Sequence, residues 1–443
     1  MSRTMRGLAQ AVYNLLLPVF CLLAAPAWLM RMARRGGLSG RLWERLGIYD
    51  RASAAEARGS VYVHAVSVGE VLMALKLIAR WKELAAGERF TLAATTSTGF
   101  DLARERALAG VRVIYSPVDL PFLVAGLYRR FAPRVLVLID SELWPNLLRG
   151  AGKRGVPVVL VNARVSERSA RRYERLAPLV RPMLASLRLV CVQAREHVAL
   201  WRRLGVRSER LAVTGSVKFD PEGTAAPVRR DDIRAMLEAF GEGRAVVLGA
   251  STHPGEEVLV ARAAASVPGV LPVLVPRHAE RRHEVAESLR RGGFEVVLRS
   301  AFNAPRDADR AVLVVDSTGE LRDWTAHAAL VVIGKSFEGR GGQNPSEAIM
   351  AGAPVVTGPH MENFEPLIGQ LRSAGAVRTA ARGEELTGAI ADLLKSAGTR
   401  EDMAGAARRI LDGHRGATTR CVERIMALDG PATSTDKRRR GAS

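Results

Sequence analysis

The chain has 443 residues, which is too long for one compact core and suits two domains of ordinary size. Its formal net charge of +20 indicates either arginine-rich solvated faces or an anionic partner, such as a membrane surface, a phosphorylated lipid or nucleic acid. Aromatic residues make up only 5%, which argues against stacked recognition of single-stranded nucleic acid. The three cysteines, Cys21, Cys191 and Cys421, are too widely spaced for a disulfide or metal pattern and fit a reducing compartment.

The first feature along the chain is an apolar segment. Residues 8–30 contain no charged side chain and are about as long as a bilayer core requires of a helix. A secretory signal peptide is the competing interpretation, because Ala25-Pro26-Ala27 resembles a cleavage site. The segment is long for a signal peptide, however, and the arginines that follow it resist translocation. We therefore predict a membrane anchor over residues 1–35, with the bulk of the protein on the cytoplasmic side. Pro18 and Pro26 leave a tilted or partly interfacial segment open.

Short apolar runs recur through the rest of the chain. They are rich in valine and leucine and lack polar alternation, which is typical of parallel strands buried on both faces by helices. Seven runs occupy 60–66, 89–96, 111–117, 134–140, 156–164, 187–193 and 211–216, and six more occupy 244–251, 271–277, 294–300, 311–317, 328–336 and 353–359. We predict an α/β protein with two Rossmann-like doubly wound domains in series.

A polar stretch that contains Pro221, Gly223 and Pro227 separates the two sets of runs. The predicted N-terminal domain covers residues 36–216, the linker covers 217–243, and the C-terminal domain covers 244–428. The basic residues 429–443 are predicted to be a disordered tail.

Ligands of doubly wound sheets bind outside the carboxyl ends of the strands, so the residues that follow each run are the informative ones. Small, hydroxyl and charged residues recur there in both halves, and two domains facing a cleft would bring these edges together. In HAVSVGEV, Gly69 allows a tight turn and Glu70 stands at the start of the next helix. The alternative for Glu70 is a plain acid that matches the helix dipole.

The segment GGQNPSEAIMAGAPVV, residues 341–356, is the most specific pattern. Its glycine pair would let the backbone approach a ligand, and Asn344 and Pro345 would set a turn. A helix would then begin with Ser346 and Glu347, offering N–H groups to a phosphate and a carboxylate to ribose hydroxyls. A capped helix without a ligand is the alternative.

The motifs occur in an order that resembles the 3-deoxy-D-manno-octulosonate (Kdo) transferases of lipopolysaccharide synthesis, which have the GT-B glycosyltransferase fold. The resemblance runs nearly end to end. It rests on WERLG, HAVSVGEV, TTSTGFDLA, YSPVDLP, DSELWPNLL, VNARVSERSARRY, TGSVKFD, ASTHPGEE, VPRHAER, STGEL, GGQNPSEA and VTGPHMENF.

The resemblance implies transfer of Kdo from CMP-Kdo to a phosphorylated glucosamine disaccharide lipid, the lipid A precursor lipid IVA, at the cytoplasmic face of the bacterial inner membrane. It implies Glu70 as the general base, with Glu142 and Lys218 stabilising the transition state. The donor-binding residues that it implies are Pro276, Arg277, Thr318, Gly319, Glu320, Asn344, Pro345, Ser346 and Glu347. The hydroxyl-rich turn at Ser251 and Thr252 is also suited to a phosphate or carboxylate. Gln343 and Ser346 depart from the family's usual letters, where donor contacts can change.

A single displacement by the acceptor would invert the anomeric centre. The histidines, cysteines and acids show no metal-ligand spacing, so we predict no metal and no cofactor. Residues 162–175 carry five arginines that could meet anionic headgroups, or form a solvated helix face. Two alternatives differ in function: a GT-B enzyme with another donor such as a UDP-hexosamine, and a membrane-tethered nucleic-acid binder. The second rests on charge alone, since no nucleic-acid motif is present.

Overall fold

The computed structural model describes residues 3–34, 41–223 and 225–429. It divides into two compact units, Met1–Asp220 with Gly416–Ser443, and Pro221–Arg415. Apart from Asp429, the predicted basic tail lies outside the described residues.

The first unit is built on seven parallel strands in the order β3-β2-β1-β4-β5-β6-β7. The strands are β1 (Val61–Ala65), β2 (Phe90–Ala94), β3 (Val111–Tyr115), β4 (Val135–Ile139), β5 (Val158–Ala163), β6 (Leu187–Val192) and β7 (Leu211–Val213). The helices are α1 (Arg3–Arg34), α2 (Arg51–Glu56), α3 (Val68–Leu84), α4 (Ser97–Arg106), α5 (Pro121–Phe131), α6 (Pro145–Arg154), α7 (Glu167–Arg175), α8 (Ala177–Ser186) and α9 (Glu196–Arg203).

Burial of the central strands explains their composition. Every residue of β1, β2, β4 and β5 is buried, so an apolar side chain is favoured on both faces of the sheet. Helix α6 starts at Pro145, where a missing N–H costs nothing, and ends at Gly155 in the left-handed conformation that stops a helix. These two residues fix the helix that follows β4.

The second unit has seven parallel strands in the order β10-β11-β9-β8-β12-β13-β14, a Rossmann-like order with β10 added at one edge. The strands are β8 (Ala245–Thr252), β9 (Val270–Pro276), β10 (Glu295–Leu298), β11 (Ala311–Val314), β12 (Leu330–Ile333), β13 (Val355–Thr357) and β14 (Arg378–Thr379). The helices are α10 (Asp231–Glu238), α11 (Glu256–Ala265), α12 (Arg282–Arg291), α13 (Leu321–Thr325), α14 (Ser346–Met350), α15 (Leu367–Ser373), α16 (Glu384–Lys395) and α17 (Ala397–Asp412). A last helix, α18 (Ala417–Asp429), belongs to the first unit.

The prediction of two doubly wound domains is confirmed, because each of the thirteen apolar runs contains a strand. The fourteenth strand, β14, was not predicted: it has only two residues, and both are exposed. The predicted linker over 217–243 contains α10, whose Ile233 is fully buried together with Phe240.

The predicted end of the C-terminal domain at residue 428 is wrong, because α18 packs in the core of the first unit. Cys421, Val422 and Ile425 of this helix are fully buried there. The carboxylate of Asp220 accepts hydrogen bonds from the Gly416 and Thr418 N–H groups and from the Thr418 hydroxyl, at 3.0, 2.8 and 2.7 Å. These bonds fix the start of α18.

Candidate active site

Glu70 lies in the first turn of α3, directly after β1. Ser67 caps this helix, and its Oγ accepts a hydrogen bond from the Glu70 N–H at 3.4 Å. The carboxylate turns back toward the cap: Val66 N–H donates to Oε2 at 2.7 Å, and the Ser67 hydroxyl donates to Oε1 at 2.9 Å. This reciprocal arrangement is a variant of the capping box, in which Glu70 accepts the N–H of the residue before the cap. It explains why serine and glutamate stand three residues apart.

Burial changes the acidity of Glu70. The residue is only 9% exposed. The pKa of its carboxyl is raised from 4.5 to about 7, mainly by desolvation; the charges of Glu142 and Asp140 add to the rise, and the Val66 and Ser67 hydrogen bonds oppose it. Loss of water therefore outweighs the helix start and its hydrogen bonds. A carboxyl with a pKa near neutrality is suited to accept a proton at physiological pH.

Glu142 follows β4, which is the neighbour of β1 in the sheet. It is half-buried, and Trp144 Nε1 donates a hydrogen bond to its Oε2 at 2.8 Å. Burial, and secondarily the nearby charge of Asp140, raise the pKa of this carboxyl. The sheet thus places Glu70 and Glu142 at the carboxyl ends of adjacent strands, where their charges interact.

Asp140 lies at the centre of this edge. Its φ of 66° is in the left-handed region. The φ of 60° at Asn162 is also left-handed, and Asn162 lies near the end of β5, the other neighbour of β4. Asn162 Nδ2 donates to Asp140 Oδ1 at 3.3 Å, and Arg164 Nε lies 3.4 Å from Oδ2. Left-handed backbone at two non-glycine residues of one edge is a strained feature of the kind that clusters at functional sites.

Lys218 belongs to the same charge cluster. Asn162 Oδ1 accepts hydrogen bonds from Ser216 Oγ at 3.0 Å and from Val217 N–H at 3.1 Å, which fixes the segment just before the lysine. The pKa of Lys218 is lowered to about 8, mainly by burial and also by the charge of Arg164, while the charge of Asp140 opposes the change. The three predicted catalytic residues, Glu70, Glu142 and Lys218, therefore lie together in the first unit, around Asp140.

The second unit brings together part of the predicted donor site. Thr252 pairs with Pro276 across β8 and β9, and the Arg277 N–H donates to the Thr252 carbonyl at 3.0 Å. Burial raises the pKa of Glu347, and the charges of Arg322 and Arg277 oppose the rise. Glu347 Oε2 is buried and has no hydrogen-bond partner among the described residues. This carboxylate oxygen is free to accept a ligand hydroxyl.

Glu320 differs from the other predicted donor contacts. Arg230 Nη1 donates to its Oε1 at 2.9 Å, Arg299 Nε lies 2.8 Å from Oε2, and the Ser317 hydroxyl donates to Oε2. Its neighbours Thr318 and Gly319 are exposed. Both oxygens of Glu320 are thus engaged by the protein, so its carboxylate holds α10 and the turn after β10 in place.

The glycine pair of the GGQNP motif serves protein packing. A Cβ at Gly341 would overlap the Asn363 side chain, and a Cβ at Gly342 would overlap Met361 Sδ. The close approach of residues 360–363 therefore requires both glycines, and the approach of a ligand to this backbone stays a prediction. Gln343 Nε2 lies 3.0 Å from His253 Nε2.

The following turn is capped locally, because Asn344 Oδ1 accepts the Ser346 N–H at 3.1 Å. Pro345 directly precedes the five-residue helix α14. Ser346 Oγ is buried and has no hydrogen-bond partner within the described part of the chain. Like the free oxygen of Glu347, it lies at the start of α14.

Four residues of these edges were missed by the sequence analysis: Asp140, Asn162, Arg164 and Arg322. The strand-edge rule was sufficient to find Asp140, since this residue ends an apolar run. Within residues 3–34, 41–223 and 225–429, no group of three or more histidine, cysteine or acidic side chains is arranged to hold a metal ion.

The comparisons with known proteins agree with this geometry. The whole fold is similar to that of a putative UDP-N-acetylglucosamine 2-epimerase from Listeria monocytogenes, with a TM-score of 0.56 and 14% identity over 84% of this chain and 96% of that chain. The two Rossmann-like units and the similarity to this structure assign the chain to the GT-B fold class.

Sequence relatives narrow the class. Residues 40–221 match the family described as 3-Deoxy-D-manno-octulosonic-acid transferase (kdotransferase). The 3-deoxy-D-manno-octulosonic acid transferase of Bordetella pertussis is 34% identical over 90% of this chain and 94% of the relative, and that of Haemophilus influenzae is 31% identical over 86% and 90%. The chain belongs to the Kdo transferase family.

Proposed function

We propose that this Kdo transferase moves Kdo from CMP-Kdo to the phosphorylated glucosamine disaccharide lipid A precursor, lipid IVA, with inversion at the anomeric carbon. The observation that carries the proposal is Glu70, a buried carboxyl with a pKa of about 7 at the carboxyl edge of the first sheet. It acts together with Glu142 and Lys218, whose charges lie in the same cluster.

In the proposed reaction, Glu70 accepts the proton of the acceptor hydroxyl, and that oxygen attacks the anomeric carbon of Kdo. The bond from this carbon to the phosphate oxygen breaks, and CMP leaves with the electron pair. One displacement forms no covalent sugar intermediate, so configuration inverts. Lys218 supplies positive charge to the anionic transition state. No step requires a metal ion or a cofactor.

Donor binding falls to the second unit in this proposal. The Arg277 guanidinium is suited to a phosphate or to the Kdo carboxylate. The unpaired oxygen of Glu347 is suited to a ribose hydroxyl. The same turns carry the other proposed donor-binding residues, which are Pro276, Ser251, Thr252, Thr318, Gly319, Asn344, Pro345 and Ser346. Glu320 contributes through its arginine partners.

The acceptor's lipid character is supported by a cavity of about 510 Å³ between α1, α6 and α8 of the first unit. Its lining includes Leu148, Pro178 and Met183, and also Arg149 and Lys153, one turn apart on α6. Neither cation has an ion-pair partner among the described residues. This cavity, with its apolar lining and these two cations, suits an amphiphile that carries acyl chains and phosphate.

The proposed location is the cytoplasmic face of the bacterial inner membrane. One helix in the described part of the chain, over Gly7–Ala27, has the length and apolar composition needed to cross a membrane. The arginines of α7 at positions 168, 171, 172 and 175 are exposed, which suits an anionic surface. Arg164 is used differently, since it pairs with Asp140.

The test is CMP release by detergent-solubilised protein supplied with CMP-Kdo and the tetraacylated disaccharide lipid, with the lipid product analysed by mass. Glu70→Gln should abolish release. The matched control is Glu385→Gln, because Glu385 also accepts a backbone N–H at a helix start, from Ala381 at 2.7 Å, but lies in the second unit. Release of UDP from a UDP-hexosamine in a donor panel would replace the proposed donor. Full activity of Glu70→Gln would remove the proposed base.

A further inference from the structure

Helix α1 is fastened to the first unit near its N-terminal end. Gln10 Nε2 donates to Asn146 Oδ1 at 2.9 Å, and Asn146 Nδ2 donates to Asn14 Oδ1 at 2.8 Å. The Tyr13 hydroxyl donates to Asp119 Oδ2 at 3.0 Å. Asp119 and Asn146 are buried, so these bonds join α1 to the body of the unit.

The chain that follows α1 returns to the same place. A short 3₁₀ turn, Leu42–Leu46, begins eight residues after Arg34, the described end of the helix. In this turn, Glu44 Oε2 accepts the Tyr115 N–H at 2.8 Å, and the Arg45 carbonyl accepts the Val118 N–H at 2.9 Å. Val118 directly precedes Asp119, the partner of Tyr13. The chain around residues 115–119 therefore binds both the N-terminal part of α1 and the turn that follows this helix.

This connection is incompatible with a helix that crosses a bilayer between Tyr13 and Arg34. Those residues are separated by about 32 Å along a helix, which is roughly the thickness of the hydrocarbon core. From Arg34 back to Arg41 the chain reaches at most about 25 Å, even when fully extended. A return through hydrocarbon would also leave backbone groups without partners.

Helix α1 has one partly covered face and one exposed apolar face. Ala9, Gln10, Tyr13, Asn14, Leu17, Pro18, Cys21, Ala24 and Ala25 are partly covered. The opposite face carries eight large apolar side chains that are 45–78% exposed: Leu8, Val12, Leu15, Leu16, Val19, Phe20, Leu22 and Leu23. At 100° per residue these eight fall within an arc of about 160°. The polar residues that fasten the helix lie outside this arc.

We propose that α1 lies in the plane of the membrane and inserts its exposed apolar face into one leaflet of a lipid bilayer, without crossing it. The partner is a lipid surface because the sequence flanks this face with Arg3 and Arg6 before it and Arg31 and Arg34 after it, which suit anionic headgroups. The N-terminus of the chain then stays on the same side of the membrane as both units. The inference shares with the proposed function only the presence of a membrane.

The decisive experiment compares the two ends of the full-length chain in cells. One protease-cleavable epitope is placed before Met1, and in a second strain the same epitope follows Ser443. We expect both epitopes to resist protease in intact spheroplasts and to be cleaved after lysis. Cleavage of the N-terminal epitope alone in intact spheroplasts would overturn the inference. Cleavage of both would keep the inference and refute the cytoplasmic location proposed for the transferase.

A second measurement tests the inserted face. The double substitution Leu16→Glu with Leu23→Glu should move the protein from the membrane pellet to the supernatant, while detergent-dispersed lipid is still glycosylated. The matched control is Leu108→Glu, which charges an exposed leucine of the same unit outside α1 and should leave the protein in the pellet. Retention of the double variant in the membrane would contradict insertion through this face.

Discussion

The capping serine of α3 controls the acidity of the proposed base, so Ser67→Ala should shift the pH dependence of transfer. The wild-type carboxyl of Glu70, with a pKa of about 7, is half ionised at neutral pH, and activity should fall as the pH drops through 7. The Ser67 hydroxyl donates to this carboxylate at 2.9 Å and stabilises the ionised form. Its removal should therefore raise the pKa further.

The size of the shift follows from the bond that is lost. A hydrogen bond to a charged group is worth about 1.5–3 kcal/mol, and one pKa unit corresponds to about 1.4 kcal/mol. With the Val66 N–H still donating, we take the lower end, a rise of about one unit. The ionised fraction at pH 7 then falls from about one half to about one tenth, and kcat/KM falls about five-fold. At pH 8 the loss is only about two-fold.

The assay is the initial rate of lipid-dependent CMP release between pH 5.5 and 9. Ser396→Ala is the matched control, because Ser396 caps α17 by accepting the Thr399 N–H in the same way, far along the chain from Glu70. Removal of either cap lowers the free energy of unfolding by about 1 kcal/mol, so a general loss of folded protein would appear in both variants. A wild-type acid limb centred near pH 4.5, or a Ser67→Ala profile that coincides with the wild-type profile, would refute the reasoning.

Three further outcomes follow from the charges and bonds of the structure. The pKa of Lys218 is lowered to about 8 and the charged form is the active one, so wild-type activity should decline above pH 8. Lys218→Arg should move that decline to higher pH. A decline at the same pH in this variant would contradict the role of Lys218. The pKa of Glu70 is higher in the folded than in the unfolded chain, so the neutral carboxyl stabilises the folded chain at low pH. This stabilisation is lost as the pH rises from 4.5 to about 7, and the free energy of unfolding then falls by about 3 kcal/mol. Glu70→Gln should accordingly raise the melting temperature at pH 8 but not at pH 4, and an unchanged melting temperature at pH 8 would count against the raised pKa. Asp220→Ala removes the acceptor of three hydrogen bonds at the start of α18 and should cost about 2–4 kcal/mol, with new proteolytic cleavage near Gly416; resistance equal to that of the wild type would contradict the role of this carboxylate.

The strands could be predicted because burial on both faces of a parallel sheet leaves a local mark, a continuous run of valine and leucine. The location of α18 could not. Its apolar face shows that Val422 and Ile425 are buried, but an amphipathic pattern does not identify the sheet that buries them. That choice is made by contacts with α3, more than three hundred residues earlier in the chain.

The candidate site shows the same limit. Motifs were sufficient to name Glu70, Glu142 and Lys218, which the structure brings together around Asp140. They could not show that Glu320 is held by Arg230, 90 residues earlier, because ion pairs of this kind leave no local pattern. The left-handed backbone of Asp140 and Asn162 is also set by tertiary structure, since neither residue type requires it.

The return of α18 to the first unit makes the second unit an insertion, one continuous stretch from Pro221 to Arg415. During synthesis, domains generally fold in the order in which the ribosome delivers them. Here the second unit is completed before the first. Its whole sequence is available once Arg415 has emerged, while the first unit still lacks Cys421, Val422 and Ile425. The surface of α3 that receives these residues stays uncovered by them until α18 has been synthesised. A nascent chain that stalls after residue 415 would therefore expose the core of its earlier half.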